Sequence, residues 1–217
     1  ATVILKGKQI EAVGRGLPVP DGAQVVDLQG MTLLPGFSDA HTHFGGSARL
    51  DRPGLTGRFG SYDYAEHREA ALRWGVTAVR SAGDFTPEIL EFRDEVNAGK
   101  IRSPRVIAAG RMVQADGGHP AFTVFFSDAA IVENACVILR ADTDIEAEIA
   151  KLSDLGVDWI KIFVSDDNKM QYPCTVPRLS NEQLRRIVDA AHKHGKPVMA
   201  HVDDIGNLKD AVLCGAD

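Results

Sequence analysis

Two histidines, His41 and His43, stand one residue apart in "LLPGFSDAHTHFGG", residues 33–46, at the end of an apolar run. Successive side chains of a β-strand alternate between faces, so this spacing puts both imidazoles on one face with Cα atoms roughly 6–7 Å apart. Imidazoles at that separation can bind one metal ion. A pair of surface histidines is the alternative, and Gly45-Gly46 weighs against it because glycines there end the strand in a loop.

Lys161 lies in the middle of the apolar run "DWIKIFV". If Ile160 and Ile162 face covering helices, then Trp159, Lys161 and Phe163 face the interior of the protein. A lysine buried among apolar groups needs a partner, a lowered pKa or a covalent modification. Three interpretations stay open: a lysine that reaches solvent at the strand end, a Schiff-base lysine, and a lysine recruited to a metal site.

Two further histidines follow strand-like segments. His201 ends "KPVMAHV", and His119 stands in "ADGGHPAF", where Gly117-Gly118 loosen the chain. Alone, a strand histidine is more often a core residue than a ligand, and His119 fits substrate binding and solvent exposure equally well. His201 becomes a candidate ligand when it is considered together with His41, His43 and Lys161. The carboxyl ends of parallel strands gather at one edge, where barrel active sites are built.

Elements that would position these residues alternate regularly along the chain. Apolar β-branched segments at 74–83, 104–111, 157–165 and 196–202 predict strands, and helices are predicted around 63–73, 87–98, 143–155 and 181–194. Thr86 before Pro87 predicts a helix N-cap, and Ser180 with Gln183 predicts a capping box. Alternating βα units predict a parallel sheet covered by helices, either doubly wound or closed into a (β/α)8 barrel.

A weak internal repeat supports this reading. "WGVTAV", "LGVDWIKI" and "LCGAD" each combine a helix end, a glycine and the first residues of a strand. Gly156 and Gly195 are predicted to end the helices at 143–155 and 181–194. About five of eight barrel strands are accounted for, so the sequence reads as part of a longer protein. An incomplete barrel exposes a sheet edge, from which we expect a homo-oligomer.

Residues 1–32 differ from the rest of the chain. "TVILKGKQIEAVG" and "QVVDLQGMTLL" are short β-rich runs around the turn cluster "RGLPVPDG", and they predict two or three strands of a small sheet. We therefore divide the chain into a partial β-sandwich domain at 1–32 and a barrel domain at 33–217.

Composition excludes several classes of protein. The net charge of −6 and the lack of basic runs argue against nucleic-acid binding. No apolar run approaches the ~20 residues of a membrane span, and no signal peptide is visible. The widely spaced cysteines, Cys136, Cys174 and Cys214, predict reduced thiols in a cytoplasmic protein.

Taken together, these segments resemble the amidohydrolase superfamily, in its imidazolonepropionase-like branch that includes metal-dependent Xaa-Pro dipeptidases. The resemblance rests on "VVDLQGMTLLPGFSDAHTH", "GVTAVRSAG", "GGHP", "GVDWIKIFVS" and "HGKPVMAHV", which follow one another in the family's order. It covers the N-terminal portion of such a protein. It implies a (β/α)8 TIM barrel, incomplete in this chain, beside a small β-sandwich.

The resemblance also implies a binuclear site, with two zinc ions the commonest occupants. It assigns His41 and His43 to one ion, His201 to the second, and Lys161 to a carboxylated bridge between them. It assigns His119 to substrate. The catalytic residue of this chain is unknown, because the family's acid–base aspartate belongs to an eighth strand.

What the resemblance implies for function is hydrolysis of an amide, peptide or lactam C–N bond by a metal-bound hydroxide, with a dipeptide or another small molecule as substrate. We expect the isolated 217-residue chain to be inactive. The alternative is a catalytically inactive barrel fragment that acts as a binding or assembly module. A third and weaker reading, a Schiff-base lyase that uses Lys161, leaves the histidine pair unexplained.

Overall fold

The computed structural model describes residues 1–44, 64–125, 127–166 and 175–217. The chain divides into two compact units, Ala1–Pro35 and Gly36–Asp217. Gly45-Gly46 and Cys174, discussed above, lie outside the described residues. No helix among the described ranges has the length and apolar character to cross a membrane.

The first unit contains an antiparallel pair, β1 (Thr2–Lys6) and β2 (Gln9–Gly14). Gly7 occupies the turn between them with φ of 60°, a conformation that glycine adopts without strain. The prediction of a strand in "QVVDLQGMTLL" was wrong, because these described residues form no strand. Val25, Val26 and Met31 are largely exposed there, so no packed face holds this segment extended.

The second unit alternates strands and helices. Its strands are β3 (Phe37–Thr42), β4 (Val76–Ser81), β5 (Arg105–Ala108), β6 (Met112–Ala115), β7 (Cys136–Leu139), β8 (Ile160–Phe163) and β9 (Val198–His201). Its helices are α1 (Tyr64–Arg73), α2 (Glu88–Asn97), α3 (Ala129–Ala135), α4 (Ile145–Asp154), α5 (Asn181–Lys193) and α6 (Ile205–Leu213). Every strand pairing in this unit is parallel, as alternating βα connections require.

The parallel strands form two sheets, in the orders β3-β4-β5 and β7-β6-β8-β9. A backbone hydrogen bond joins these sheets, because the Asp158 N–H donates to the Ala108 carbonyl at 2.8 Å. Successive side chains of β8 point to opposite sides of the sheet. Ile160 and Ile162 pack in the main core with the helices, while Lys161 and Phe163 face the interior of the partial barrel. The predicted α/β architecture is confirmed as a partial barrel of parallel strands.

An aspartate fastens the start of β8 to β5. The Asp158 carboxylate accepts from the Ala108 N–H at 2.8 Å, which complements the bond that Asp158 donates. Arg93 on α2 donates to the same carboxylate at 3.0 Å and to the Gly156 carbonyl at 2.8 Å. The Asp158 side chain thus links α2 to β5 and to the start of β8.

Asp217 makes the equivalent contacts with β9. Its N–H donates to the Val198 carbonyl at 2.9 Å, and its carboxylate accepts from the Val198 N–H at 2.8 Å. His192 takes the position of the arginine and contacts the carboxylate at 2.9 Å. The repeat between "LGVDWIKI" and "LCGAD" therefore has a physical basis, a carboxylate that fixes strand register.

We predict that Asp158→Ala destabilises the chain by about 1–3 kcal/mol, because the Ala108 N–H and the Arg93 guanidinium both lose their acceptor. Asp94→Ala is the matched control, since Asp94 pairs with the same arginine through a side chain that is 66% exposed. Such surface pairs contribute roughly 0–1 kcal/mol. Urea unfolding of the three proteins measures the difference, and equal losses for both variants would contradict the prediction.

Helix ends follow the sequence signals with one exception. Ser180 and Gln183 form the predicted capping box of α5, and Gly156 and Gly195 end α4 and α5 with φ of 84° and 66°. Thr86 is not the N-cap of α2: Pro87 holds that position without a side-chain cap, and the Thr86 hydroxyl donates to the Asp84 carbonyl instead.

Three elements were absent from the sequence prediction, namely β6, α3 and β7 between residues 112 and 139. β6 follows β5 along the chain after Gly110 but belongs to the other sheet, where it lies between β7 and β8. Met112 and Cys136 pack with Phe163 in a cluster of their own, so this segment buries one side of the strand that carries Lys161.

Candidate active site

Four of the predicted site residues lie on strands of the second unit or directly after one. β3 carries His41, with His43 directly after its last residue, while β8 carries Lys161 and β9 ends at His201. β8 and β9 are neighbours in register, with Phe163 opposite His201. His119 lies in a loop, as the sequence predicted, but this loop follows β6 and not the predicted strand at 104–111.

The structure brings all five side chains together. The His41 and His43 ring centroids are 5.8 Å apart, and those of His41 and His201 are 6.2 Å apart. Lys161 Nζ lies 3.4 Å from His41 Nε2. His119 stacks on His201 with centroids 4.9 Å apart, so it belongs to the same cluster.

Phe163 forms the apolar side of this cluster. Its ring stacks on His201 at 4.8 Å and lies 5.1 Å from the His119 ring. Lys161 Nζ lies 5.1 Å from the centroid of the same ring. Phe163 is buried, so it removes solvent from one side of the histidines.

Burial keeps His41, His119 and His201 unprotonated at neutral pH. It lowers the pKa of His41, His119 and His201 from 6.5 to about 4, with nearby positive groups as lesser causes. Lys161 is fully buried, and burial alone lowers its pKa from 10.5 to about 7. Neutral imidazoles carry the lone pair that metal coordination needs.

Hydrogen bonds orient several of these rings. The His43 Nδ1–H donates to the Gly83 carbonyl at 2.7 Å, which leaves Nε2 as the acceptor nitrogen. His119 Nδ1 and the Thr123 hydroxyl are 2.6 Å apart. The His201 Nε2–H donates to Asp203 at 3.1 Å, so Nδ1 carries its lone pair. Imidazole ligands of metals characteristically have the second nitrogen bonded in this way.

The imidazole nitrogens are donors that suit a divalent ion of borderline softness, and they lie close to one another. Among the described residues, however, no three His, Cys, Asp or Glu side chains are already arranged around a common ion position. The rings lie 5–6 Å apart and His41 Nε2 faces the lysine amine.

Two partners in the cluster were missed from the sequence. The Gly83 carbonyl that accepts from His43 lies 40 positions along the chain, and no local pattern announces such a contact. Thr123 could have been found from its spacing, because it follows His119 by four residues in a turn.

Imidazoles and a lysine gathered by neighbouring parallel strands are typical of a barrel-type active site. Residues 32–213 match the sequence profile of the amidohydrolase family. The chain therefore belongs to the amidohydrolase family.

Curated relatives are similar over nearly the whole chain. A dihydroorotase of Pelobacter propionicus is 26% identical over 212 residues, which cover 97% of this chain and 40% of the relative. A dihydroorotase of Mycobacterium tuberculosis is 32% identical over 161 residues, or 71% of this chain and 31% of the relative. The chain thus spans about 40% of the length of the first of these relatives.

Solved structures give a consistent picture of the fold. A prolidase complexed with N-methylphosphonate-L-proline superposes with a TM-score of 0.75 at 25% identity, covering 99% of this chain and 54% of that one. Phenylurea hydrolase B superposes with a TM-score of 0.76 at 26% identity, covering 99% of this chain and 53% of that one. The chain matches about half of each of these structures.

Proposed function

We propose that this chain carries part of the active site of a metal-dependent hydrolase that cleaves C–N bonds of amides, peptides or lactams. The observation that carries the proposal is the gathering of His41, His43, Lys161 and His201 at one end of three parallel strands. Membership of the amidohydrolase family supports it.

His41, His43 and His201 would hold the metal, which we propose to be zinc at two positions. His41 and His201 are neutral bases at pH 7, and His43 and His201 each have one nitrogen tied to a protein acceptor. When bound, a divalent ion polarises a carbonyl group and lowers the pKa of water toward neutrality. The buried ring of Phe163 limits competing solvent at the same place.

Lys161 would join the site as a carbamate. Its amine is fully buried, and with a pKa of about 7 a large share is the free base near neutral pH. A free amine adds to carbon dioxide: a new N–C bond forms, one proton leaves the nitrogen, and an anionic carbamate results. That anion would supply the negative charge that the cluster of neutral bases lacks.

Substrate class is the finer part of the proposal. The similar solved structures include a prolidase, and the similar curated proteins are dihydroorotases. We propose a small substrate with a peptide or cyclic amide bond, and a dipeptide as the first choice. His119 stacks beside His201 on the loop after β6, where it would contact that substrate.

Metal analysis of the purified protein tests the proposal. We expect bound zinc in the wild-type protein, loss of most of it in His41→Ala, and no loss in His194→Ala, a matched control at an exposed histidine that is the C-cap of α5. Zinc bound equally by all three proteins, or by none, would contradict the site.

A substrate panel then separates the two functional readings. Xaa-Pro and other dipeptides, dihydroorotate and N-acyl amino acids would be incubated with the zinc-loaded full-length protein, because we expect the isolated chain to be inactive, and the products would be followed by mass spectrometry. Cleavage that His41→Ala abolishes supports the hydrolase. Zinc binding without turnover of any compound favours the alternative, an inactive barrel that acts as a binding or assembly module.

A further inference from the structure

The segments that follow β3 and β4 stay paired beyond the ends of the two strands. The Ala82 N–H donates to the Thr42 carbonyl at 2.7 Å, as in a strand ladder. The next residue, His43, donates through Nδ1 to the Gly83 carbonyl at 2.7 Å. The Phe44 N–H then donates to the Asp84 carboxylate at 2.8 Å.

Residues 42, 43 and 44 therefore meet residues 82, 83 and 84 one for one. The first bond joins two backbones, the second uses the imidazole of His43, and the third uses the carboxylate of Asp84. Side chains therefore supply the hydrogen bonds at the positions where the backbone ladder stops. The histidine ring is thus held between two backbone positions that are themselves fixed.

Phe44 is fixed from its other side as well. The His67 Nδ1–H on α1 donates to the Phe44 carbonyl at 2.6 Å, so side chains satisfy both backbone polar groups of this residue. The Phe44 ring is 3% exposed and stacks on Tyr64 and Phe92, with centroids 5.9 and 5.6 Å away. Apolar packing and two hydrogen bonds hold the position that follows His43.

Burial of the Asp84 side chain, which accepts from the Phe44 N–H, costs free energy. Its side chain is buried, and a buried carboxylate needs hydrogen-bond donors to offset lost hydration. The Phe44 N–H is one donor, and the hydroxyl of the fully buried Ser81 is another. Bonds to an ionised acceptor are roughly twice as strong as neutral ones, so this contact resists displacement.

We propose that Asp84, with Ser81 behind it, is a positioning residue that orients the His43 ring toward the metal. By holding Phe44 it keeps His43 Nδ1 on the Gly83 carbonyl and presents Nε2 to the cluster. The inference rests on the proposed function, since it assigns these residues a task in building that metal site. His67 was assigned no role from the sequence, and it supports Phe44 from the helix side.

Metal affinity of Asp84→Asn and Ser81→Ala tests the inference. Zinc affinity would be measured by competition with a chelator, and the site geometry by the visible absorption spectrum of the cobalt-loaded protein. We expect both variants to bind zinc about 10–100-fold more weakly, as outer partners of ligands do, and to show a changed cobalt spectrum. Ser81→Ala removes one hydroxyl only, so it tests the idea even if Asp84→Asn fails to fold.

Asp158→Ala is the matched control, because that carboxylate also accepts a backbone N–H between neighbouring strands. It should lower stability and leave zinc affinity and the cobalt spectrum unchanged. Wild-type affinity and spectrum in both test variants would overturn the inference and leave the proposed function intact. A wild-type protein that binds neither zinc nor cobalt would overturn the proposed function, and this inference with it.

Discussion

Lys161→Met should stabilise the metal-free chain at neutral pH, and in the full-length protein it should remove the proposed hydrolytic activity. Lys161 is fully buried, and its side chain packs where methionine of similar length can replace it. A buried amine whose polar contact is a long one, 3.4 Å to His41 Nε2, is destabilising, whereas the carbamate bridge proposed above depends on it. Opposite effects on stability and activity are typical of a group kept for function.

The pH dependence of this effect follows from the lowered pKa. Burial moves the pKa of Lys161 from 10.5 in the unfolded chain to about 7 in the folded chain. Between these values the unfolded chain binds the extra proton, so wild-type stability rises with pH from 7 to 10.5. The destabilisation is complete below the folded pKa. Methionine has no proton to bind, and this contribution to the slope disappears.

Urea unfolding in the presence of a chelator, at pH 7 and at pH 9.5, would measure the effect. We expect Lys161→Met to exceed wild type by several kcal/mol at the lower pH and by less at the higher one. Lys209→Met on α6 is the control, because that lysine is exposed. A Lys161→Met protein that is less stable than wild type at both values would show that the amine is not an uncompensated buried base.

Local chemistry made much of the fold readable from the sequence. The capping box of Ser180 and Gln183 depends on residues three positions apart, and the glycine ends of α4 and α5 depend on single residues. The interior direction of Lys161 followed from strand alternation alone. His41 and His43 share a strand end, so their proximity also needed no knowledge of distant residues.

Elements without local punctuation were missed. α3 ends at Ala135 and the next residue, Cys136, begins β7, so no turn residue separates helix from strand. β6 is only four residues long and follows β5 after a short break, which made it look like part of a loop. The sequence predicted a strand near Val25 from composition, but that segment has no apolar surface to pack on.

The supports of the site were unpredictable for a different reason. Asp84 and His67 reach Phe44 across 40 and 23 positions, and neither contact follows from helix or strand periodicity. Residue types that coordinate metal are few and stand out in a sequence. Serine, aspartate and histidine that hold a backbone in place are common, and only their position in the fold distinguishes them.

Gly83→Ala should be among the most destabilising single changes in the chain. Gly83 has φ of 130°, a conformation that residues with a Cβ rarely adopt. A Cβ there would also collide with the side chain of Met112, which is 2% exposed and has little freedom to move. Backbone strain and overpacking together predict a loss of about 2–6 kcal/mol.

Gly195→Ala separates the two causes. Gly195 also has a positive φ, at 66°, but a Cβ there would meet no atom within 4 Å. Strain without collision predicts a loss of roughly 1–2 kcal/mol for this control. Thermal and urea unfolding of both variants would compare them. Equal losses would mean that Met112 moves aside freely, in which case the turn that receives His43 is held by its hydrogen bonds and not by packing.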